Sequence, residues 1–221
     1  MKTSPEQRAA LGVLALCTLM NTLSRGIGES FAIFLLPITR EFGADRASIT
    51  GVYSTFVLVV GLMSPLVGVM VDRLGARLCY GLGLTLFASA YALAGSMTAL
   101  WQMYLLIAVL SAVGSTLIGA VPASSLVSRW FGVRLPSAMG MLSAALGTGM
   151  LIVAPLVQAM VEHNGWRSAY LAMGMGLFAL LLPLLLLPWR RISAGAPEVV
   201  AAAARRASAQ VAWTIGRALR T

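Results

Sequence analysis

Residues 49–97 read ITGVYSTFVLVVGLMSPLVGVMV, then DRLGAR, then LCYGLGLTLFASAYALAGSM: two apolar runs joined by a short charged turn. Neither run contains a charged side chain. At about 1.5 Å per helical residue, each is long enough to cross a hydrocarbon layer about 30 Å thick. Inside that layer the backbone must satisfy its own hydrogen bonds, which selects helix. Asp72, Arg73 and Arg77 then lie at a membrane surface. The unit is a transmembrane helical hairpin.

The pattern continues in both directions. Apolar segments run from Ala9 to Ile38, Ile49 to Val71, Leu78 to Met97, Met103 to Val127, Ala138 to Val161 and Ser168 to Leu187. The 221-residue chain is 59% hydrophobic and only 10% charged. A soluble domain carries roughly 25% charged residues, so this chain has too little charge to cover a water-facing surface. Lys2 and Arg8 precede Leu11 to Met20 as they would in a signal peptide, but the segment runs on to Pro37 and five further spans follow. A retained first span is the better assignment. The expected fold is all-α and polytopic, with six transmembrane helices over residues 1–189 and a basic tail or linker over residues 190–221.

The net charge of +9 does not describe a nucleic-acid-binding face, because the basic residues occupy the short gaps between apolar runs. One side of the membrane receives Lys2, Arg8, Arg73, Arg77, Arg129, Arg134, Arg190, Arg191 and the arginines of the tail. The other receives Arg40, Arg46 and Arg167, accompanied by Glu41, Asp45 and Glu162. The positive-inside bias therefore places both termini in the cytoplasm, in a cell inner membrane. Trp101, Trp130, Trp166 and Trp189 stand near span ends, where an indole buries its ring and keeps its N–H wet. In the tail, AAAARRASAQVAWTIGRALR over residues 201–220 reads as a short cytoplasmic helix or linker. Arg205 and Arg206 are placed to touch anionic headgroups at about 1 kcal/mol each.

Enzyme chemistry finds no foothold. There is no paired-carboxylate, nucleophile-triad or P-loop pattern, His163 stands alone, and Cys17 and Cys79 lie in apolar runs without metal-ligand spacing. No catalytic residue, metal or cofactor is expected. The unusual residues are Arg25 and Glu29, four apart on one helical face well inside the first apolar segment. Asn21 is one turn earlier, and Gly26 and Gly28 leave open backbone beside them. An arginine near the bilayer centre costs about 2.5–3.5 kcal/mol even on the lenient insertion scale, so it must face protein or a wet cavity. Arg-before-Glu is not the better order for a helical ion pair, which favours a role in a cavity over a structural staple. Ser111, Ser115, Thr116, Ser143 and Thr148 are secondary polar candidates on spans four and five.

The turn at residues 68–77, GVMVDRLGAR, carries a second signal. Gly68 permits close helix approach, Asp72 suits a neighbouring helix N-terminus, and Gly75 makes the tight turn. This describes a packed latch between helices, although a plain two-helix turn explains it almost as well. The segment resembles the signature loop of the major facilitator superfamily, Gly-x3-Asp-Arg-x-Gly-x-Arg/Lys, between the second and third spans. Three further runs are similar to the bacterial monocarboxylate-transporter-like branch. They are SFAIFLLPITREFGADRASI after the first span, SRWFGVRLPSAMG entering the fifth and NGWRSAY before the sixth.

That resemblance implies one six-helix half of a twelve-helix fold, with substrate held between the halves. It assigns Gly68, Asp72, Arg73, Gly75 and Arg77 to a conformational latch. It matches Arg129, Trp130, Phe131, Arg134, Ala138 and Gly140 to the fifth-span motif, and Gly165, Trp166 and Arg167 to the later loop. Span five has Ser143, Gly147, Gly149 and Pro155 but not the Gly-Pro-x-x-Gly antiporter pattern, which favours symport over efflux. The expected function is transport of a small organic anion of monocarboxylate type, in symport with a proton. Arg25, Glu29, Asn21, Ser115 and Ser143 would contact substrate. The expected partners are the lipid bilayer, the anion, and either a second copy or a separate second half. The alternative expectation is a truncated inactive or regulatory fragment that requires a second half.

Overall fold

The structure is a computed structural model that describes residues 5–43 and 45–209. Every regular element among them is helical. Helices α1 (Pro5–Glu29) and α2 (Phe31–Phe42) form the first span, α3 (Arg46–Leu74) the second and α4 (Ala76–Ala94) the third. The fourth is assembled from α5 (Leu100–Met103), a π-helical segment (Tyr104–Leu110), α6 (Ser111–Ile118) and α7 (Ala120–Trp130). Then come α8 (Leu135–Leu186), α9 (Trp189–Ala194) and α10 (Pro197–Ala209). The last two give helical form to the first part of the basic tail. Residues 210–221, which include the remainder of that segment, lie outside the described residues.

By length and composition five helical stretches qualify as membrane spans, and one of them, Leu135–Leu186, is 52 residues long. At about 1.5 Å per residue that is more than twice a hydrocarbon thickness. Gly165 divides it, with φ 78° and ψ 163°, a conformation that a side-chain-bearing residue rarely adopts. Neighbours on either side confirm the reversal. Before Gly165, the Leu142 carbonyl accepts a hydrogen bond from Asn21, and Gly149 lies against Gly26. After it, Gly174 abuts Ala92, Leu185 reaches Gly81, and the Trp189 ring is 5.6 Å from Tyr80. Numbers rise along α8 as they fall along α4, so residues 166–186 return antiparallel to span three. The bundle therefore makes six crossings, and α8 supplies two.

These contacts also define two ends. At the basic end, Trp130 Nε1 donates to the Ile192 carbonyl at 2.8 Å and the Ala196 N–H to the Arg129 carbonyl at 3.0 Å. At the opposite end, Tyr104 donates to the Ser48 carbonyl at 2.6 Å, and Arg167 Nη2 to the Met97 carbonyl at 3.0 Å. The short α3–α4 turn rests on Gly75, whose N–H still bonds the Val71 carbonyl at 3.1 Å and whose φ of 82° then redirects the chain. Span one is interrupted at Ser30, whose hydroxyl donates to the Gly26 carbonyl at 2.6 Å.

Helix pairs are close where small residues meet. A Cβ added to Gly26 would lie 2.7 Å from the Gly149 carbonyl oxygen, and one added to Gly149 would lie 2.6 Å from that of Thr22. Spans one and five thus touch backbone to backbone, as membrane helices do when small residues line the seam. Gly26, expected to leave open backbone beside Arg25, is instead occupied by this crossing, and Gly28 faces Phe56. Spans one, three and six are joined by aromatic contacts, stacked for Phe34 on Tyr170, tilted for Tyr91 on Tyr170 and edge-on for Phe87 with Tyr91. Phe34 and Tyr170 have centroids 4.0 Å apart, Tyr91 and Tyr170 5.7 Å, and Phe87 and Tyr91 5.1 Å. Such pairs contribute about 0.5–1.5 kcal/mol each beyond area burial.

Candidate functional site

Spans one, two, four and five surround a groove that runs from the middle of span one toward the basic end. Its walls differ in kind. Span two is the least buried, with Val57, Leu58, Leu62, Leu66 and Val69 all exposed. Span four is the most irregular. Its π-helical segment ends at Leu110 and its helix breaks at Gly119, so the stretch carrying Ser111, Ser115 and Thr116 is flanked by two departures from α geometry. Such π segments recur at functional sites.

Three hollows lie along the groove. The first, of about 60 Å³, is lined by Ser24, Arg25, Glu29, Ser64, Ser115 and Thr116 among others. The second, of about 420 Å³, is lined by Asn21, Arg25, Ala120, Ser124, Met139 and Ser143 with Val121 and Leu142. The third, of about 410 Å³, shares Val121, Ser124 and Met139 with the second and continues to Gly68 and Asp72. Arg25 borders the first two. The five residues expected to contact substrate, Asn21, Arg25, Glu29, Ser115 and Ser143, line the same groove, two on one side of Arg25 and two on the other. Of the secondary candidates, Thr116 borders the first hollow, whereas Ser111 and Thr148 border none of the three.

Their local chemistry is uneven. Arg25 is exposed and, among the described residues, makes no hydrogen bond and no ion pair. Although Glu29 stands one helical turn away, the two do not form a salt bridge. Glu29 Oε2 instead accepts a 2.6 Å hydrogen bond from the Tyr53 hydroxyl of α3. Tyr53 is held in turn between Phe31 and Phe56, with ring centroids 5.8 and 6.1 Å away. Asn21 is buried. Its Nδ2 donates to the Leu142 carbonyl at 2.9 Å, while its Oδ1 has no partner among the described residues. Ser115 is buried and its hydroxyl donates to Ala112 of its own helix. Ser143 is exposed to the groove and donates to Met139.

The loop residues are arranged differently. Gly75 turns the chain between α3 and α4. Asp72, Arg73 and Arg77 are exposed, and among the described residues none of them makes a hydrogen bond or ion pair. A Cβ at Gly68 would meet nothing within 4 Å. Among the described residues no second helix closes on Gly68, and that glycine and Asp72 both border the third hollow.

The opposite end holds a tight cluster. Glu41 at the end of α2 pairs with Arg167 at 2.9 Å and accepts a hydrogen bond from Trp166 Nε1. The Arg167 guanidinium lies 4.3 Å from the Trp166 ring centroid. Positive φ at Gly165 turns the chain so that both following side chains meet Glu41. Among the described residues this is the only salt bridge.

Sequence alone marked Arg25, Glu29 and Asn21 through their polarity inside an apolar run. It gave no signal for Tyr53, which belongs to a different span and is distinguished by nothing in its own surroundings. Ser24 and Ser64 were likewise unmarked, because a hydroxyl in a membrane helix ordinarily bonds its own backbone. Glu41 was legible only as a loop charge.

Over residues 14–220 the chain matches the family model described as Major Facilitator Superfamily. It is 28% identical over 187 residues to the uncharacterized MFS-type transporter YcxA of Bacillus subtilis, a match covering 84% of this chain and 45% of that protein. To monocarboxylate transporter 12 of Homo sapiens it is 30% identical over 162 residues, covering 73% and 31% of the two chains. With monocarboxylate transporter 4 of Mus musculus it shares 27% identity over 172 residues, covering 77% and 36%. The chain spans less than half the length of these relatives. The polytopic helical bundle, the glycine turn between spans two and three and this match agree: the chain belongs to the Major Facilitator Superfamily, a family of membrane transporters.

Proposed function

We propose that this chain forms one wall of a transport pathway for a small organic anion of monocarboxylate type, moved in symport with a proton. The observation that carries this reading is Arg25. It is a permanently charged group inside an apolar span, exposed to a groove and without an ion pair among the described residues. Such a group is expensive in hydrocarbon unless it has a function there. A carboxylate in the hollow of about 420 Å³ would meet Arg25 and the second Nδ2 proton of Asn21, and Ser143 would donate to it by releasing the Met139 carbonyl. The volume is within the usual range for small-molecule sites. Glu29, next along the groove, is the candidate proton carrier. The named relatives in the monocarboxylate transporters support the substrate class.

The other wall belongs to a second six-helix unit, either another half or a second copy. Exposed Asp72, Arg73 and Arg77 would meet groups on that unit as a latch near the membrane surface. Both ends of the chain lie in the cytoplasm of a cell whose inner membrane holds the protein. The charge bias of the basic end, which carries Arg73, Arg77, Arg129, Arg134, Arg190 and Arg191, supports that orientation. Uptake of labelled lactate and pyruvate into vesicles carrying the chain together with a second half tests the proposal. Saturable uptake that accelerates in acid and is lost in Arg25→Ala is expected. Uptake unchanged by that substitution removes the anion anchor, and pH-independent uptake removes the proton.

A further inference from the structure

A cavity of about 640 Å³ lies at the basic end and shares no lining residue with the three hollows of the groove. Its walls are apolar. Span one supplies Ala9, Gly12, Val13 and Leu16, and Leu187 comes from the end of span six. Trp130 adds its ring, since its N–H is already spent on the Ile192 carbonyl at 2.8 Å. A Cβ built on Gly12 meets nothing within 4 Å, which leaves a slot along the wall of span one.

The rim is of another kind. Arg8, Arg191 and Glu6 border the cavity and all three are exposed, so two cations stand against one acid. Arg191 makes no ion pair among the described residues. From Arg8 to Leu16 is about 12 Å along the helix axis. Arg8 precedes the apolar run and Leu16 is inside it, so the cavity extends from the headgroup level into the hydrocarbon.

Its floor is fixed. The Ala196 N–H donates to the Arg129 carbonyl at 3.0 Å, and Arg129 Nη1 donates to the Ser193 carbonyl at 3.3 Å. Gly195, with φ 80°, seats so closely there that a Cβ on it would lie 2.8 Å from the Arg129 carbonyl oxygen. Helix α9 cannot settle into the space without breaking these bonds. Apolar walls hold water poorly, and an empty space forfeits the dispersion contacts of its lining. A filler is therefore favoured, and the surrounding bilayer supplies acyl chains.

The two halves of the cavity narrow the choice of occupant. A free phosphate would meet the arginines and leave the walls bare. A lipid without net charge would cover the walls and leave the excess positive charge unanswered. We propose that the cavity binds one anionic phospholipid from the leaflet at the basic end. Its phosphate lies between Arg8 and Arg191, and one acyl chain runs along Gly12 and Leu16. This site is independent of the anion-transport reading above, and it uses no residue of the groove.

The test uses the chain in lipid nanodiscs holding phosphatidylglycerol and phosphatidylcholine in equal amounts with identical acyl chains. Native mass spectrometry of the released protein identifies what stays bound. One phosphatidylglycerol, retained over phosphatidylcholine by about tenfold or more, is expected, with Arg8→Gln and Arg191→Gln each lowering retention about fivefold. Gly12→Leu, which fills the slot, is expected to abolish it. Phosphatidylglycerol with brominated chains should quench tryptophan fluorescence, and Trp130→Phe should remove that component. Equal retention of the two lipids, or retention indifferent to both arginines, overturns the headgroup site. Retention that survives Gly12→Leu puts the lipid elsewhere on the basic surface and overturns the cavity. Retention that appears only when residues 210–221 are removed gives the cavity to the chain's own tail and overturns the lipid. Should Gly12→Leu fail to fold, quenching of Trp130 in the otherwise unaltered chain decides the location: its presence supports the cavity and its absence overturns it.

Discussion

Two acid–base pairs in this molecule behave in opposite ways. Glu41 and Arg167 come from spans far apart in sequence, yet they close to 2.9 Å and share an indole with the Trp166 ring. Arg25 and Glu29 stand one turn apart on a single helix and remain unpaired, Glu29 being held instead by Tyr53. The first pair is at the membrane boundary, where it ties span one to span six. The second is inside the groove, where, on the function proposed above, an internal salt bridge would neutralise the charge offered to a carboxylate. On that reading closure serves the scaffold and separation keeps Arg25 available.

Substitutions at each pair break or sharpen this contrast. The largest effect is expected at Arg25: Arg25→Ala lowers anion uptake by at least tenfold but shifts thermal unfolding in detergent by less than about 0.5 kcal/mol. A large loss of stability would place Arg25 in the scaffold with Arg167. Next comes Gly165→Ala, since the φ of 78° and ψ of 163° belong to a region that is nearly glycine-only. It should cost about 1–3 kcal/mol in the same unfolding measurement, with no steric contribution because a Cβ there meets nothing within 4 Å. Trp166→Phe keeps the ring and deletes the N–H that Glu41 accepts, for about 1 kcal/mol. Arg167→Gln should cost less than about 1 kcal/mol, because both partners are partly exposed and solvent screens the pair. Asp72→Asn should leave the stability of this chain within about 0.5 kcal/mol, as no partner for Asp72 stands among the described residues.

The sequence was most informative where hydrocarbon and water meet. Six apolar runs became six crossings, and Gly75 and Gly165 mark turns because their positive φ values demand glycine. The helices extend beyond the apolar runs, Arg46–Leu74 against the expected Ile49 to Val71, because hydropathy locates the hydrocarbon layer and helices continue past it. Rotation about each helix axis was less legible. In a soluble protein the buried and exposed faces differ in polarity, but here exposed Leu58 and buried Val67 are equally apolar. Which residues meet is then set by packing, so the Tyr53–Glu29 contact and the Gly26–Gly149 crossing escape a reading of one run at a time. Arg25, Glu29 and Asn21 could be found because polarity inside an apolar run is costly wherever it points. The interruption at Ser30 and the π segment from Tyr104 to Leu110 left no such mark.

Occupancy of the groove can be read chemically. Both native cysteines, Cys17 and Cys79, are buried, so a single cysteine introduced by Met139→Cys, on an exposed position bordering two hollows, reports access to the groove. Its rate of reaction with a water-soluble maleimide, measured with and without L-lactate in the transporter assembled with a second half, addresses the anion site directly. Protection by lactate that disappears when Arg25→Ala is added is the predicted result. Labelling that lactate does not slow, or protection that persists without Arg25, would contradict a carboxylate held in this groove by Arg25.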